Sequence, residues 1–219
     1  MPTTTNVTNG TRRRAWMAVL LPAMLSACAP VFSDLQSAKV LEPGRVEITP
    51  SASYVSSSCD PDDDCGHIQD HFGAQVGVGV LKSVELRGRY EHVSVIEDGP
   101  SAEVVGFGPK IGLVKDRLAF YVPIGRGFGG EAEAGLDKSW AVHPTLLATV
   151  PAHRNVEVNA SAKYLVPLQG GDDLLAFNLG LGVGDLERWA IRPEVGLLVD
   201  PGDEGRFFHL SLGLSFRPR

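Results

Sequence analysis

The chain has 219 residues, a formal charge of −6, 43% apolar residues and three cysteines. That length fits one domain, and that apolar share can build a core, which excludes a chain disordered throughout. Its 25 glycines and 15 prolines exclude a helix bundle, since glycine weakens helix interiors and proline breaks them. The acidic balance excludes a dedicated nucleic-acid binder, whose phosphate affinity needs clustered Lys and Arg.

Arg12, Arg13 and Arg14 precede an apolar stretch from Ala15 to Leu25, and Leu25-Ser26-Ala27-Cys28 follows. No apolar run reaches the roughly 18–20 residues of a membrane-spanning helix. A positive region, a short apolar core and small residues form the pattern of a secretory signal. The Leu-Ser-Ala-Cys ending resembles the lipobox of bacterial lipoproteins. The resemblance implies that residues 1–27 are a signal peptide cut before Cys28. It further implies that Cys28 carries diacylglycerol on its sulfur and an acyl group (palmitate or similar) on its new amino terminus. Three acyl chains hold a membrane far more firmly than one. Ala29, where aspartate would mark retention, implies sorting to the outer membrane of a Gram-negative bacterium. The arginine run is more faintly similar to a twin-arginine export signal.

Residues 1–27 hold three arginines and no acids, so the exported part carries −9. Its two cysteines, Cys59 and Cys65, are close in sequence and enter an oxidising compartment, which predicts a structural disulfide. Redox catalysis would favour a Cys-x-x-Cys spacing.

From Arg45 onward, apolar and polar residues alternate with period two, the mark of strands with two unlike faces. Val156-Glu157-Val158-Asn159-Ala160-Ser161-Ala162-Lys163-Tyr164 shows it most cleanly. Ten strands are predicted, over about 45–55, 71–81, 84–95, 102–114, 118–126, 140–150, 156–168, 174–183, 189–199 and 206–216, with eight as the fallback. Residues 28–44 are expected to be a lipid-anchored periplasmic tether, and 45–216 the barrel domain. Longer acidic or glycine-rich loops (56–70, 96–101, 127–139, 169–173, 200–205) alternate with tighter turns near Lys82-Ser83, Lys115-Asp116, Ala152-Asn155 and Gly184-Arg188. An even number of meandering strands, with loops long at one end and short at the other, matches an antiparallel up-and-down transmembrane β-barrel. Both barrel ends and Cys28 are then expected on the periplasmic side, with the long loops extracellular.

A soluble barrel also alternates, but it turns its apolar face inward. Here the polar face carries Gly73, Gly77, Gly79, Gly106, Gly108, Gly112, Gly180 and Gly182. A water-facing surface gains nothing from glycine, whereas a narrow lumen needs small residues beside long ones. The long ones are Glu47, Glu85, Arg87, Arg89, Glu91, Lys110, Glu157, Lys163, Arg192 and Glu194, and their mixed signs predict an ion-paired interior. The other face, with Val76, Val78, Phe107, Leu179, Leu212 and their like, suits lipid. Tyr54, Phe72, Trp140 and Phe208 mark one interface and Trp189 and Phe216 the other.

The last strand, His209 to Phe216, resembles the terminal-aromatic signal read by the outer-membrane assembly machinery. It departs in having three residues after Phe216 and its glycine at an unusual distance. Pro50, Pro109, Pro123, Pro144, Pro167 and Pro193 oppose the reading, because each lacks a ladder N–H and a closed barrel has no free edge.

Asp60, Asp62 and Asp64 offer alternate carboxylates to Ca²⁺ or Mg²⁺, but without the spacing of a known loop. The plainer reading is a solvated acidic loop pinned by the disulfide, and divalent ions bridging that loop to lipopolysaccharide phosphates are a middle case. Barrel proteases and lipases place Asp, Ser and His at the rim, where this chain offers His67, Asp70, His71, Asp200, Asp203 and His209. No spacing among them marks a general base and its partner. Gly127, Gly129 and Gly130 lack the strand-to-helix setting of a phosphate loop.

The sequence therefore points to a non-enzymatic outer-membrane barrel lipoprotein with a structural, surface-interaction or small-solute passage role. No cofactor is expected beyond the lipid on Cys28. Outer-membrane lipid, lipopolysaccharide and the assembly machinery are its expected partners. The alternatives are a lipid-anchored periplasmic barrel carrying an apolar ligand and, less favoured, a rim hydrolase.

Overall fold

The computed structural model describes residues 33–57, 66–96, 101–129, 140–169, 173–201 and 206–218. The strands are β1 (Val46–Ser57), β2 (His67–Leu81), β3 (Val84–Val95) and β4 (Ala102–Val114). Next come β5 (Leu118–Tyr121 continued by Ile124–Phe128) and β6 (Trp140–Val142 continued by Thr145–His153). The last four are β7 (Val156–Pro167), β8 (Leu174–Val183), β9 (Trp189–Val199) and β10 (Arg206–Phe216).

Each strand pairs antiparallel with the next. β10 returns to pair with β1 from Ser57↔Phe207 to Ile48↔Phe216, which closes the ladder. The fold is a closed ten-stranded antiparallel barrel, and closure removes the edges that an open sheet exposes. Both ends of the barrel domain, Val46 and Phe216, lie at the short-turn end.

The prolines are absorbed in three ways. Pro123 and Pro144 interrupt β5 and β6 at neighbouring points, and the adjoining groups still pair: Val122 N–H donates to Pro109 O (3.0 Å) and His143 N–H to Pro123 O (2.9 Å). Pro50 stays in register with Ala74 on β2 but sits in a gap of the β1–β10 ladder between Ile48 and Ser51. Pro167 lies at a strand end. Pro109 and Pro193 resemble Pro50: each stays in register with one neighbour, at Leu86 and at Leu212, and sits in a gap of the other ladder, between Phe107 and Lys110 on the β5 side and between Ile191 and Glu194 on the β8 side.

Sidedness is apolar outward. Leu210, Leu212, Phe107, Leu179, Val195 and Leu86 are each more than half exposed, while Glu85, Glu157, Glu91, Lys110, Arg87 and Arg192 are buried in the lumen. A continuous apolar belt of this extent suits acyl chains and not water. Tyr54, Phe72, Trp140 and Phe208 are exposed toward the long-loop end and Trp189 and Phe216 toward the short-turn end, where aromatic rings bridge lipid and water. An apolar-ligand carrier needs the reverse arrangement.

Two expectations are corrected. The lumen is not ionic throughout: at its long-loop end Val55, Leu165, Leu174, Ala176 and Leu198 form one buried apolar cluster, and Val93, Ala102 and Val104 another. Residues 33–41 are not an external tether either. Ser33 to Ala38 and Leu41 are buried inside the barrel.

Candidate functional site: a lumen filled by the chain's own segment

The site follows from period two. On β3, alternation puts Glu85, Arg87, Arg89 and Glu91 on one face, and closure turns that face to the axis. Register then sets small residues beside the large. Arg87 lies between Gly77 on β2 and Gly108 on β4, and Arg89 between Gln75 and Gly106. A Cβ on Gly77 would stand 2.6 Å from Glu85 Oε1 and 2.9 Å from Arg87 Nη2. One on Gly182 would stand 2.8 Å from Glu157 Oε1, and one on Gly196 only 2.1 Å from Asn178 Oδ1 and His209 Nε2. These glycines are the room in which the charged side chains lie.

All ten sequence-selected charged residues line the lumen, and the wall pairs them largely among themselves. Arg87 bridges Glu47 (2.6 Å) and Glu85 (2.7 Å), and Lys110 Nζ meets Glu85 Oε2 at 3.0 Å. Arg217 closes the bottom on Glu47 Oε2 (2.8 Å) and on Leu186 O (2.6 Å). Opposite, Arg192 pairs with Glu157 (3.0 Å) and donates to Ser215 Oγ (2.8 Å). Higher up, Arg89 pairs with Glu91, which also meets His71 Nδ1 at 3.3 Å. Buried ions in this number are tolerable only when each finds a partner, because desolvation costs several kcal/mol per ion.

Segment 33–41 completes the network. It leaves β1 through a turn at Gly44, whose φ of +80° favours glycine. Gly44 N–H donates to Gly79 O (2.8 Å). A Cβ on Gly79 would stand 2.1 Å from Glu42 O, so the entry of the segment depends on that glycine. Leu41 N–H then donates to Glu85 Oε2 (3.0 Å), Lys39 pairs with Glu157 (3.0 Å), and Ala38 N–H donates to Thr149 Oγ1 (2.7 Å).

Near mid-height the contacts multiply. Glu194 accepts the consecutive N–H groups of Asp34 (2.7 Å) and Leu35 (2.8 Å). Leu35 has φ +50°, so two successive amides converge on one carboxylate, a nest. Asp34 pairs with Lys163 (3.0 Å) and accepts from Asn178 Nδ2 (2.8 Å) and from Ser161 Oγ. Gln75 Nε2 donates to Asp34 O (2.9 Å), and Arg89 and Lys163 both reach Ser33. Lys110 on β4 donates to Ser37 O (3.3 Å). The segment forms no strand, yet side chains from seven strands take the place of a backbone ladder.

The other candidates fall in varied places. His67 and Asp70 do meet, at 2.9 Å, and the His67 ring stacks on Tyr54 with centroids 4.0 Å apart. His71 is buried between Glu91 and Gln69, and His209 between Ser211 (2.8 Å) and Asn178 (2.9 Å). This hydroxyl–imidazole–amide row is buried inside the barrel, His209 in register with Val55. Among the described residues no group of three or more His, Cys, Asp or Glu is placed to hold a metal ion. Cys28, Cys59, Cys65, Asp60, Asp62, Asp64 and Asp203 lie outside the described residues.

The part that sequence reasoning missed is the segment itself. Gly79, Gly112 and Gly213 were its trace. Their missing side chains face Glu42 O, Val40 and Leu35, not the ions of the wall.

A closed antiparallel barrel, apolar outside and ion-paired inside, has the fold of the bacterial outer-membrane barrels. The chain is similar to the translocator domain of the autotransporter NalP from Neisseria meningitidis (9% identity, 94% of this chain and 98% of that one, TM-score 0.46). It is also similar to the KdgM porin (8%, 80% and 99%, 0.43) and to Ail, the attachment invasion locus protein of Yersinia pestis (13%, 80% and 99%, 0.39). No protein-family model and no curated protein matches it.

Proposed function

We propose that this protein is an outer-membrane β-barrel lipoprotein, acylated at Cys28 and closed by its own residues 33–41. Its role is structural and interactive at the cell surface. Of the roles the sequence left open, solute passage fits least. The observation that carries this is the filled lumen, in which the segment's backbone is bound by Glu85, Thr149 and Glu194 and its side chains by Lys163, Asn178 and Glu157.

In this reading the long acidic loops face outward. Their aspartates meet lipopolysaccharide phosphates through divalent ions, and a Cys59–Cys65 disulfide pins the first loop. The Ser57 N–H to Gly66 O bond (3.2 Å) draws the stems of that loop together, which supports the bridge. The assembly machinery would read β10 and Phe216.

Planar-bilayer recording on the purified full chain tests the closed barrel. The expected trace shows no stepwise conductance at ordinary voltages. Regular steps of uniform size would return the protein to the solute-passage reading.

A further inference from the structure

The lipid-facing wall carries a cation that the wall itself does not neutralise. Ile124, Arg126 and Phe128 of β5 point outward together, opposite the outward Phe107, Val105 and Glu103 of β4. Among the described residues, Arg126 and Arg206 are the outward-facing Lys or Arg of the strands. Arg206 is the first residue of β10 and is exposed beside its loop, whereas Arg126 stands two residues inside the long-loop end of β5. A cation on a lipid-facing wall is costly unless an anion reaches it.

No carboxylate of the wall supplies that anion. The outward acid nearest in register is Glu103, one outward position higher on β4. It is already engaged: its Oε1 meets His92 Nδ1 at 2.8 Å and its Oε2 accepts from Tyr90 Oη. Arg126 Nε is sealed from solvent and has no hydrogen-bond partner. What the guanidinium does touch is its cross-strand neighbour Trp140, with its carbon 5.8 Å from the ring centroid, a distance at which the ring face attracts a cation. The terminal nitrogens of Arg126 remain to bind.

The surroundings say what kind of anion fits. Trp140 belongs to the aromatic row at the long-loop end, where rings sit at the level of lipid headgroups. Toward the middle of the wall, Val105 and Phe107 are exposed and apolar, a surface that suits acyl chains and not a hydrated ion. The arginine fork matches two oxygens of one phosphate, a fit that the point charge of lysine lacks.

We propose that Arg126 and Trp140 form a site on the outer wall for a lipid-borne phosphate, with the chains of that lipid lying on Val105 and Phe107. On the outer-membrane reading, on which the choice of lipid rests, the long-loop end meets the outer leaflet and the ligand is the phosphorylated lipid A of lipopolysaccharide. The contact is direct and needs no divalent ion, unlike that of the acidic loops.

Trp140 reports on the site. In the full chain, Trp16→Phe/Trp189→Phe leaves it as the one tryptophan. This parent is folded into phosphocholine vesicles that contain increasing shares of lipid A, with a chelator present to silence the loops. The expected Trp140 emission changes saturably with phosphorylated lipid A and not with lipid A stripped of its phosphates. Arg126→Gln is expected to weaken the response by at least about tenfold, as for a lost charge-assisted hydrogen bond, and Arg126→Lys to restore part of it. An equal response in Arg126→Gln, or an equal response to the stripped lipid, overturns the proposal. So does a matching response to inorganic phosphate, which would make the site one for free anions. Should Arg126→Gln not fold, Arg126→Lys decides, and a titration identical to the parent's refutes the fork. A parent that enters vesicles with heat-modifiable mobility but shows no response sinks the site alone. A parent that does not enter them defeats the outer-membrane reading as well.

Discussion

A charge placed on the outer wall measures the membrane directly. Phe208, Leu210, Leu212, Leu214 and Phe216 all point outward from β10. Leu212 is central, in register with Ala52 on β1 and Pro193 on β9, and is 55% exposed. An arginine facing lipid costs about 2–4 kcal/mol at the bilayer midplane and about 0–1 near the interfaces. Leu212→Arg should therefore lose about 3 kcal/mol, roughly a hundredfold in the folded ratio. Phe208→Arg and Phe216→Arg should each lose about 1 kcal/mol, including the interfacial ring. The assay is urea unfolding of single arginine variants at all five outward positions, 208, 210, 212, 214 and 216, in phosphocholine vesicles, followed by tryptophan fluorescence and by heat-modified gel mobility. The expected profile peaks at Leu212 and falls toward both ends of the strand. A flat profile near zero would mean that these leucines face water, and the membrane assignment would fail with it.

Three further outcomes follow from the lumen. Asp34→Ala strips Lys163 of its carboxylate and should cost about 3 kcal/mol, while Asp34→Ala/Lys163→Met should recover at least half, since replacing a buried pair is far cheaper than halving it; a double variant no better than the single one would show that the pair is not the origin. Gly79→Val places atoms on the Glu42 carbonyl and should expel the base of the segment, seen as new trypsin cleavage at Lys39 or Arg45 of the folded protein; unchanged cleavage would disprove the dependence on that glycine. Gly196→Leu crowds Asn178 and His209 and should destabilise the barrel by about 1–3 kcal/mol in the same unfolding assay, as overpacking does elsewhere; an effect within error would mean that the lumen is looser at this level.

The strands and their sidedness were legible because a strand in a barrel has two environments and alternates between them residue by residue. Glu85-Leu86-Arg87 already states which side meets lipid, and Gly77 and Gly182 state where the long side chains need space. The ten strands agree in number with the reading, although β2 starts earlier, at His67. The fate of the prolines was not legible. Whether Pro123 breaks a strand depends on what its neighbour Pro144 does across the ladder, and only pairing settles that.

Residues 33–41 show the same division more sharply. Ser-Asp-Leu-Gln-Ser-Ala-Lys-Val-Leu has no period, because nothing in its own stretch satisfies its backbone. Its donors find Glu85 at 44 residues' separation and Glu194 at 160. Local alternation determined the wall of this protein. What fills the wall was decided only when closure brought seven strands around one axis, since side chains that far apart in sequence acquire a common ligand only in three dimensions.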